Sequence, residues 1–224
     1  MLILSLILTA VISYLLGSCN SSIIVVRLLK HEDIREHGSK NAGLTNTLRC
    51  YGKGPALLTL LGDLAKGIVA VFLSQFIVRA VAGEGAVDLQ YVGYIAGIFA
   101  ILGHVFPVYY GFKGGKGALV ASSVLIVIDP ITFAIVIPIF IVISLTTRYV
   151  SLGSMIAAAA YPIVTFCINF FVRHHEFSHC IVYTVFALIT ALLVIYMHRS
   201  NIRRLMNGTE NKLGQKKPDE PKGE

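Results

Sequence analysis

Five predominantly apolar stretches dominate the chain, at residues 2–26, 54–78, 90–110, 150–172 and 180–197. A helix rising about 1.5 Å per residue needs about 20 apolar residues to cross a hydrocarbon core of about 30 Å. Each stretch therefore reads as one spanning helix. A sixth, 118–146, is long for a single span and is broken by Asp129-Pro130. Proline removes a backbone donor, and an aspartate at mid-bilayer costs about 2.5–3.5 kcal/mol. The dipeptide predicts an external turn between two helices, 118–128 and 131–146. The first covers about half a bilayer and needs shielding by neighbours or extension from the preceding loop. The first stretch lacks the basic flank of a signal peptide and is too long for one, so it counts as a span. The pattern predicts an all-α, polytopic transmembrane bundle of about seven spans.

Composition fits: 55% of the residues are hydrophobic and 14% charged, against about 25% charged in a soluble domain. The net charge of +7 would suggest nucleic acid in a soluble protein, but here it sorts by loop, and no nucleic-acid partner is expected. With seven helices, 17 of the 19 basic residues share one side: those of the loops 27–53 and 111–117, Arg148, the tail from His198, and Lys66 within the second helix. Arg79 and Arg173 remain opposite. The positive-inside rule makes the basic side cytoplasmic and the N-terminus external. A single integral membrane domain is expected over 1–214. The polar, Pro-bearing residues 215–224 read as a disordered cytoplasmic tail. The four cysteines lack metal-ligand spacing, and neither metal nor cofactor is expected.

Four polar clusters fall on the basic side. The first, Asp33 to Arg49, holds Ser39, Asn41, Asn46 and Arg49 among Gly turns, the donors that wrap a phosphate. An ordinary polar connection is its plain alternative. Asp63 and Lys66 follow at i, i+3 within an apolar helix; intramembrane charges are functional by default, with a structural ion pair as the alternative. The second cluster places His104 before Lys113-Gly114-Gly115-Lys116-Gly117 and a helix start. That order suits an anion held by backbone N–H groups, although it is not a Walker A loop. The third is Arg148 to Ser154, with Ser151 and Ser154; an interfacial cap is its alternative. In the fourth, His198, Asn201 and Arg204 fall on one helical face at i, i+3 and i+6, ahead of Glu210. A basic juxtamembrane segment drawn to anionic membrane lipids explains the arginines but not His198 with Asn201. Together the clusters suggest a site for a phosphorylated substrate at the membrane boundary.

The segments Gly38–Arg49, Gly62–Gly67, Gly103–Ala118, Arg148–Ser154 and His198–Gly214 resemble, in this order, the motifs of bacterial acyl-phosphate:glycerol-3-phosphate acyltransferases, the PlsY family. The resemblance covers about residues 1–214. It implies a seven-helix enzyme of the bacterial inner (plasma) membrane, with its site at the cytoplasmic face. It also implies acyl transfer from acyl phosphate to the 1-hydroxyl of sn-glycerol 3-phosphate in phospholipid synthesis, giving lysophosphatidic acid and phosphate. On matching positions it implies catalytic roles for Ser39, Arg49, Lys116, Ser154, His198 and Asn201. Binding roles are expected for Asn41, Asn46, Asp63, Lys66, His104, Lys113, Gly114, Gly115, Gly117 and Ser151, and a structural role for Glu210. Lys40 stands where the family generally has Gly, Ala42 where it often has Pro, and Leu44 where it often has Ala.

Acyl phosphate is a mixed anhydride with a good leaving group, so the catalytic task is to hold two anions and align an alcohol with a carbonyl. Positioning supplies roughly 7–11 kcal/mol of such a barrier. No His is followed five residues later by Asp, so the HxxxxD acyltransferase arrangement is missing. The resemblance implies that the substrate's own phosphate is the base, with His198 orienting. A transporter of a phosphorylated metabolite is the competing reading. It lacks internal repeats in the chain and has few basic residues on the outer side. A CDP-alcohol phosphatidyltransferase would need paired Asp residues that a lone Asp63 does not supply.

Overall fold

The computed structural model describes residues 1–214, which form ten α-helices and no strand among the described residues. The expected tail 215–224 lies outside them. Six helical runs are long and apolar enough to cross a membrane. The first run is not the continuous helix expected over 2–26. It divides into α1 (Leu2–Ser18) and α2 (Ser21–Lys30). The break comes from Asn20, whose Oδ1 accepts the Ile23 N–H at 3.3 Å and the Ser22 hydroxyl at 2.8 Å. Such local side-chain bonds compete with helix continuation and favour a new N-terminus.

Short α3 (Leu44–Tyr51) leads into α4 (Lys53–Ala82), then α5 (Leu89–Val105). The predicted hairpin is α6 (Ala118–Ile128) and α7 (Pro130–Thr147). α6, with 11 residues, falls short of a span. Asp129 makes the expected turn, and its side chain is fully buried. Its carboxylate caps α7 through the Thr132 N–H (3.1 Å) and hydroxyl (2.6 Å), and pairs with Arg173 at 2.8 Å. Those partners make burial of the charge tolerable. α8 (Val150–Cys167) continues as a π-turn over Ile168–Val172, and α9 (Phe177–Met197) passes at His198 into α10 (Arg199–Met206).

The surface is inside-out relative to a soluble fold. Leu61, Phe72, Phe76, Leu145 and Leu192 are exposed, while Ser5, Thr9, Ser13, Ser74 and Ser123 are buried. In lipid, helices associate through close packing and interhelical hydrogen bonds rather than through hydrophobic exclusion. The Ser13 and Ser74 hydroxyls meet at 3.1 Å between α1 and α4. α1 and α5 approach so closely that a Cβ on Gly17 would overlap the Ala100 carbonyl. α1, α4, α5 and α6 form one packed group and α7, α8 and α9 another. The α6–α7 turn and α5–α9 contacts join them, and a cavity lined from both groups lies between.

Candidate active site

The cavity measures about 520 Å³. One end is polar, and each of the four clusters contributes to it. Asn46 shapes the first. Its Oδ1 accepts the Ser39 N–H at 2.9 Å, while its Nδ2 donates to the Ile34, His37 and Asn41 carbonyls at 3.3, 3.0 and 3.1 Å. One buried amide thus folds the loop and presents Ser39 and Asn41 to the cavity. Arg35 docks this loop on the second cluster by donating to the Tyr110 and Lys113 carbonyls at 2.7 and 3.2 Å. Hydrogen bonds from Arg35 keep the Asp33 carboxyl far below the usual carboxylate range. Arg49, three residues beyond Asn46, lines the cavity with no hydrogen bond or ion pair of its own among the described residues.

The glycine-rich loop is arranged differently from the expectation of free amides around an anion. The Gly114 N–H donates to the Val105 carbonyl at 3.1 Å and the Gly115 N–H to that of His104 at 3.0 Å. Both amides are committed to the end of α5. Gly115 is required for close approach, since a Cβ there would overlap His104 Nε2 and the Ala42 carbonyl. Lys113 is exposed and points no charge into the cavity, whereas Lys116 and Gly117 line it. Gly117, at φ +83°, precedes α6, whose first-turn N–H groups lack intrahelical partners and carry the positive end of the helix dipole. Lys116 Nζ donates to Asn201 Oδ1. Burial, with the Arg204 and Arg49 charges adding to it and Glu210 opposing, brings its ammonium pKa down to about 8.

Asp63 and Lys66 form a buried ion pair at 2.8 Å. Lys66 also donates to the Cys19 carbonyl at 3.1 Å and lies 2.9 Å from His104 Nδ1. It thereby satisfies the carbonyl freed at the α1–α2 break and anchors the histidine against which Gly115 rests. Asp63 and His104 border the cavity; Lys66 does not.

Glu210 organises the remaining side. Its Oε1 accepts from the Ser151 hydroxyl (2.9 Å) and Asn201 Nδ2 (2.7 Å), and its Oε2 from Arg204 Nε (2.7 Å). His198 Nδ1 meets the Val194 carbonyl at 2.8 Å. A carbonyl only accepts, so Nδ1 carries the proton and Nε2 is left as an acceptor in the neutral ring. Burial lowers the His198 pKa to about 4, which keeps the ring neutral at pH 7. The Ser154 hydroxyl donates to the Val150 carbonyl at 2.9 Å. Neither Ser151 nor Ser154 is hydrogen-bonded to a histidine, and no cluster of metal-ligating residues occurs among the described residues.

The other end of the cavity is apolar, and sequence reasoning did not assign it. Phe133, Ile137 and Phe140 of α7 lie at i, i+4 and i+7, facing Leu125 of α6 and Tyr161 of α8. The helical stripe was visible, but in a membrane helix an apolar stripe does not distinguish groove from lipid contact. Arg204, which its i+6 spacing from His198 places on the same helical face, also lines the polar end.

Eight of the ten helices, α3 to α10, line a buried polar pocket continuous with an apolar groove, and together they define an integral membrane protein built around an amphiphile-sized cavity. The family described as glycerol-3-phosphate acyltransferase matches residues 7–208. A glycerol-3-phosphate acyltransferase of Clostridioides difficile (strain 630) is 41% identical over 96% of this chain and 98% of its own length. One from Halalkalibacterium halodurans is 42% identical over 92% of this chain and 94% of its own. Two crystal structures of PlsY (YgiH), an integral membrane glycerol 3-phosphate acyltransferase, superpose on this fold. The glycerol 3-phosphate form gives a TM-score of 0.77 at 31% identity, and the lysophosphatidic acid form 0.75 at 30%. Each comparison covers 94% of this chain and 96% of the other. The chain belongs to the glycerol-3-phosphate acyltransferase family.

Proposed function

We propose that this chain transfers an acyl group from acyl phosphate to the 1-hydroxyl of sn-glycerol 3-phosphate. The products are 1-acyl-glycerol 3-phosphate (lysophosphatidic acid) and inorganic phosphate, in a step of phospholipid biosynthesis. The reaction takes place at the cytoplasmic face of the bacterial plasma membrane, with the N-terminus outside, as the basic loops imply. The observation that supports this most is a single cavity running from a cationic pocket into an apolar groove. Such a cavity suits a phosphate-bearing head and a hydrocarbon tail held together.

Arg49, Lys116 and Arg204, with the α6 N-terminus, hold the two phosphates and offset their repulsion. Ser39, Asn41 and Ser154 sit at the same pocket as hydroxyl and amide partners for the polyol and the carbonyl oxygen. The glycerol hydroxyl oxygen attacks the acyl carbon as the bond from that carbon to the phosphate oxygen breaks. The hydroxyl proton passes to phosphate. Neutral His198 offers Nε2 as an acceptor that aligns the hydroxyl, and Glu210 fixes Asn201 and, through it, Lys116.

Purified protein given acyl phosphate and glycerol 3-phosphate, with a chelator present, should release phosphate and acylated product in equal amounts. Uptake of labelled glycerol 3-phosphate into protein-bearing vesicles without acylated product would instead establish transport.

A further inference from the structure

Two histidines, His104 and His198, border the cavity, and their ring nitrogens are held in opposite senses. Lys66 sets the sense of His104. Its ammonium carries three protons and accepts nothing, and it has three partners. These are Asp63 Oδ1 at 2.8 Å, the Cys19 carbonyl at 3.1 Å and His104 Nδ1 at 2.9 Å. Each proton is assigned, so Nδ1 accepts. The alternative, an Nδ1 proton given to Asp63, fails on distance. Asp63 Oδ1 lies 3.8 Å from that nitrogen, and a hydrogen bond needs about 3.2 Å or less. Protonating both ring nitrogens would set an Nδ1–H against the Lys66 ammonium, so the ring is neutral. A neutral imidazole whose Nδ1 accepts carries its proton on Nε2.

That Nε2 has no hydrogen bond among the described residues. It lies 2.1 Å from where a Cβ on Gly115 would stand, beside the residue that precedes Lys116. His104 is 3% exposed and borders the cavity, whereas Lys66, on its Nδ1 side, does not. His198 is the reverse: its Nδ1 gives a proton to the Val194 carbonyl, and its Nε2 is left to accept.

We infer that Asp63 and Lys66 are positioning residues that fix His104 as a neutral Nε2–H donor to a substrate phosphate oxygen beside Lys116, opposite in role to the accepting His198. His104 keeps its proton throughout. A buried ion pair adds little net stability; aiming a donor gives this one a use that stability does not. The inference rests on the phosphate-holding part of the reading above.

The full chain labelled with 15N-histidine in lipid nanodiscs tests the assignment with no acyl donor present. The His104 signals, identified by their loss in His104→Gln, should show Nε2 protonated and Nδ1 bare between about pH 6 and 8. The Nε2 proton should shift when inorganic phosphate is added. The opposite tautomer, a doubly protonated ring or a proton indifferent to phosphate would overturn the inference. Kinetics supply a second arm, because a glutamine amide nitrogen falls near the Nε2 position and an asparagine one near Nδ1. His104→Gln should keep kcat/KM within about tenfold, while His104→Asn should lose about 100-fold, the loss expected of a missing oxyanion donor. The larger rise in KM identifies the substrate whose phosphate is held. Equal losses, or the reverse order, contradict the proposal. Removing the pair in Asp63→Asn/Lys66→Met should cost about tenfold when His104 is present and less than about threefold in His104→Asn, since the pair acts through that ring. Additive losses contradict it. A chain that shows the tautomer and the phosphate shift yet forms no acylated product would refute the transferase reading alone.

Discussion

Lys116 carries the most pH-sensitive charge at the polar end of the cavity. Its ammonium pKa of about 8 means that the cation is present below that pH and lost above it. A substrate phosphate beside it retains the proton. For glycerol 3-phosphate, kcat/KM should fall about tenfold per pH unit above about 8. Lys116→Arg, whose guanidinium stays charged throughout, should remove that limb of the profile. His198 is lowered to about 4 and contributes no titration near neutrality. Its exchange for Gln keeps a hydrogen-bonding side chain and should cost less than tenfold. Arg49→Ala removes an otherwise unpaired cation and should cost about 10- to 100-fold, the range of a charge-assisted hydrogen bond. Equal losses, with imidazole restoring the His198 variant, would make the histidine the base. Lys40 adopts φ 58°, a left-handed conformation that glycine adopts without steric cost. Lys40→Gly should raise thermal stability by about 1 kcal/mol without loss of activity.

Among the elements, the α6–α7 hairpin depends on one buried carboxylate. Asp129 is fully buried and its partner Arg173 is 22% exposed, a pair between the surface and interior limits. Asp129→Asn should lower stability by about 2 kcal/mol, read as a lower unfolding temperature in detergent. The hairpin was legible in the chain because bilayer thickness fixes span length and a proline cannot sit quietly inside a helix. The α1–α2 break was not. Ser18 to Ser22 are small enough to pass as part of a membrane helix, and only the cap made by Asn20 reveals the interruption. The glycine loop was legible as a site and misleading in detail. Which of its amides are free depends on how the end of α5 lies against it, and residue spacing does not encode that.

For the molecule as a whole, sorting charges by loop placed the four polar clusters on one side, and the folded chain brings them to one cavity. The clusters were readable because charge and hydroxyl groups are costly in lipid and therefore conspicuous. The groove that completes the site was not readable, because its residues are the same apolar types that face the bilayer. On the proposed reading the alcohol, the phosphates and the tail share one cavity, where neither Ser151 nor Ser154 pairs with a histidine. The site should therefore transfer the acyl group directly between two substrates bound together. Initial rates measured against both substrates test this most directly, together with exchange of labelled phosphate into acyl phosphate when glycerol 3-phosphate is absent. Direct transfer predicts intersecting double-reciprocal lines and no exchange. Parallel lines with rapid exchange would require an acylated enzyme and contradict it.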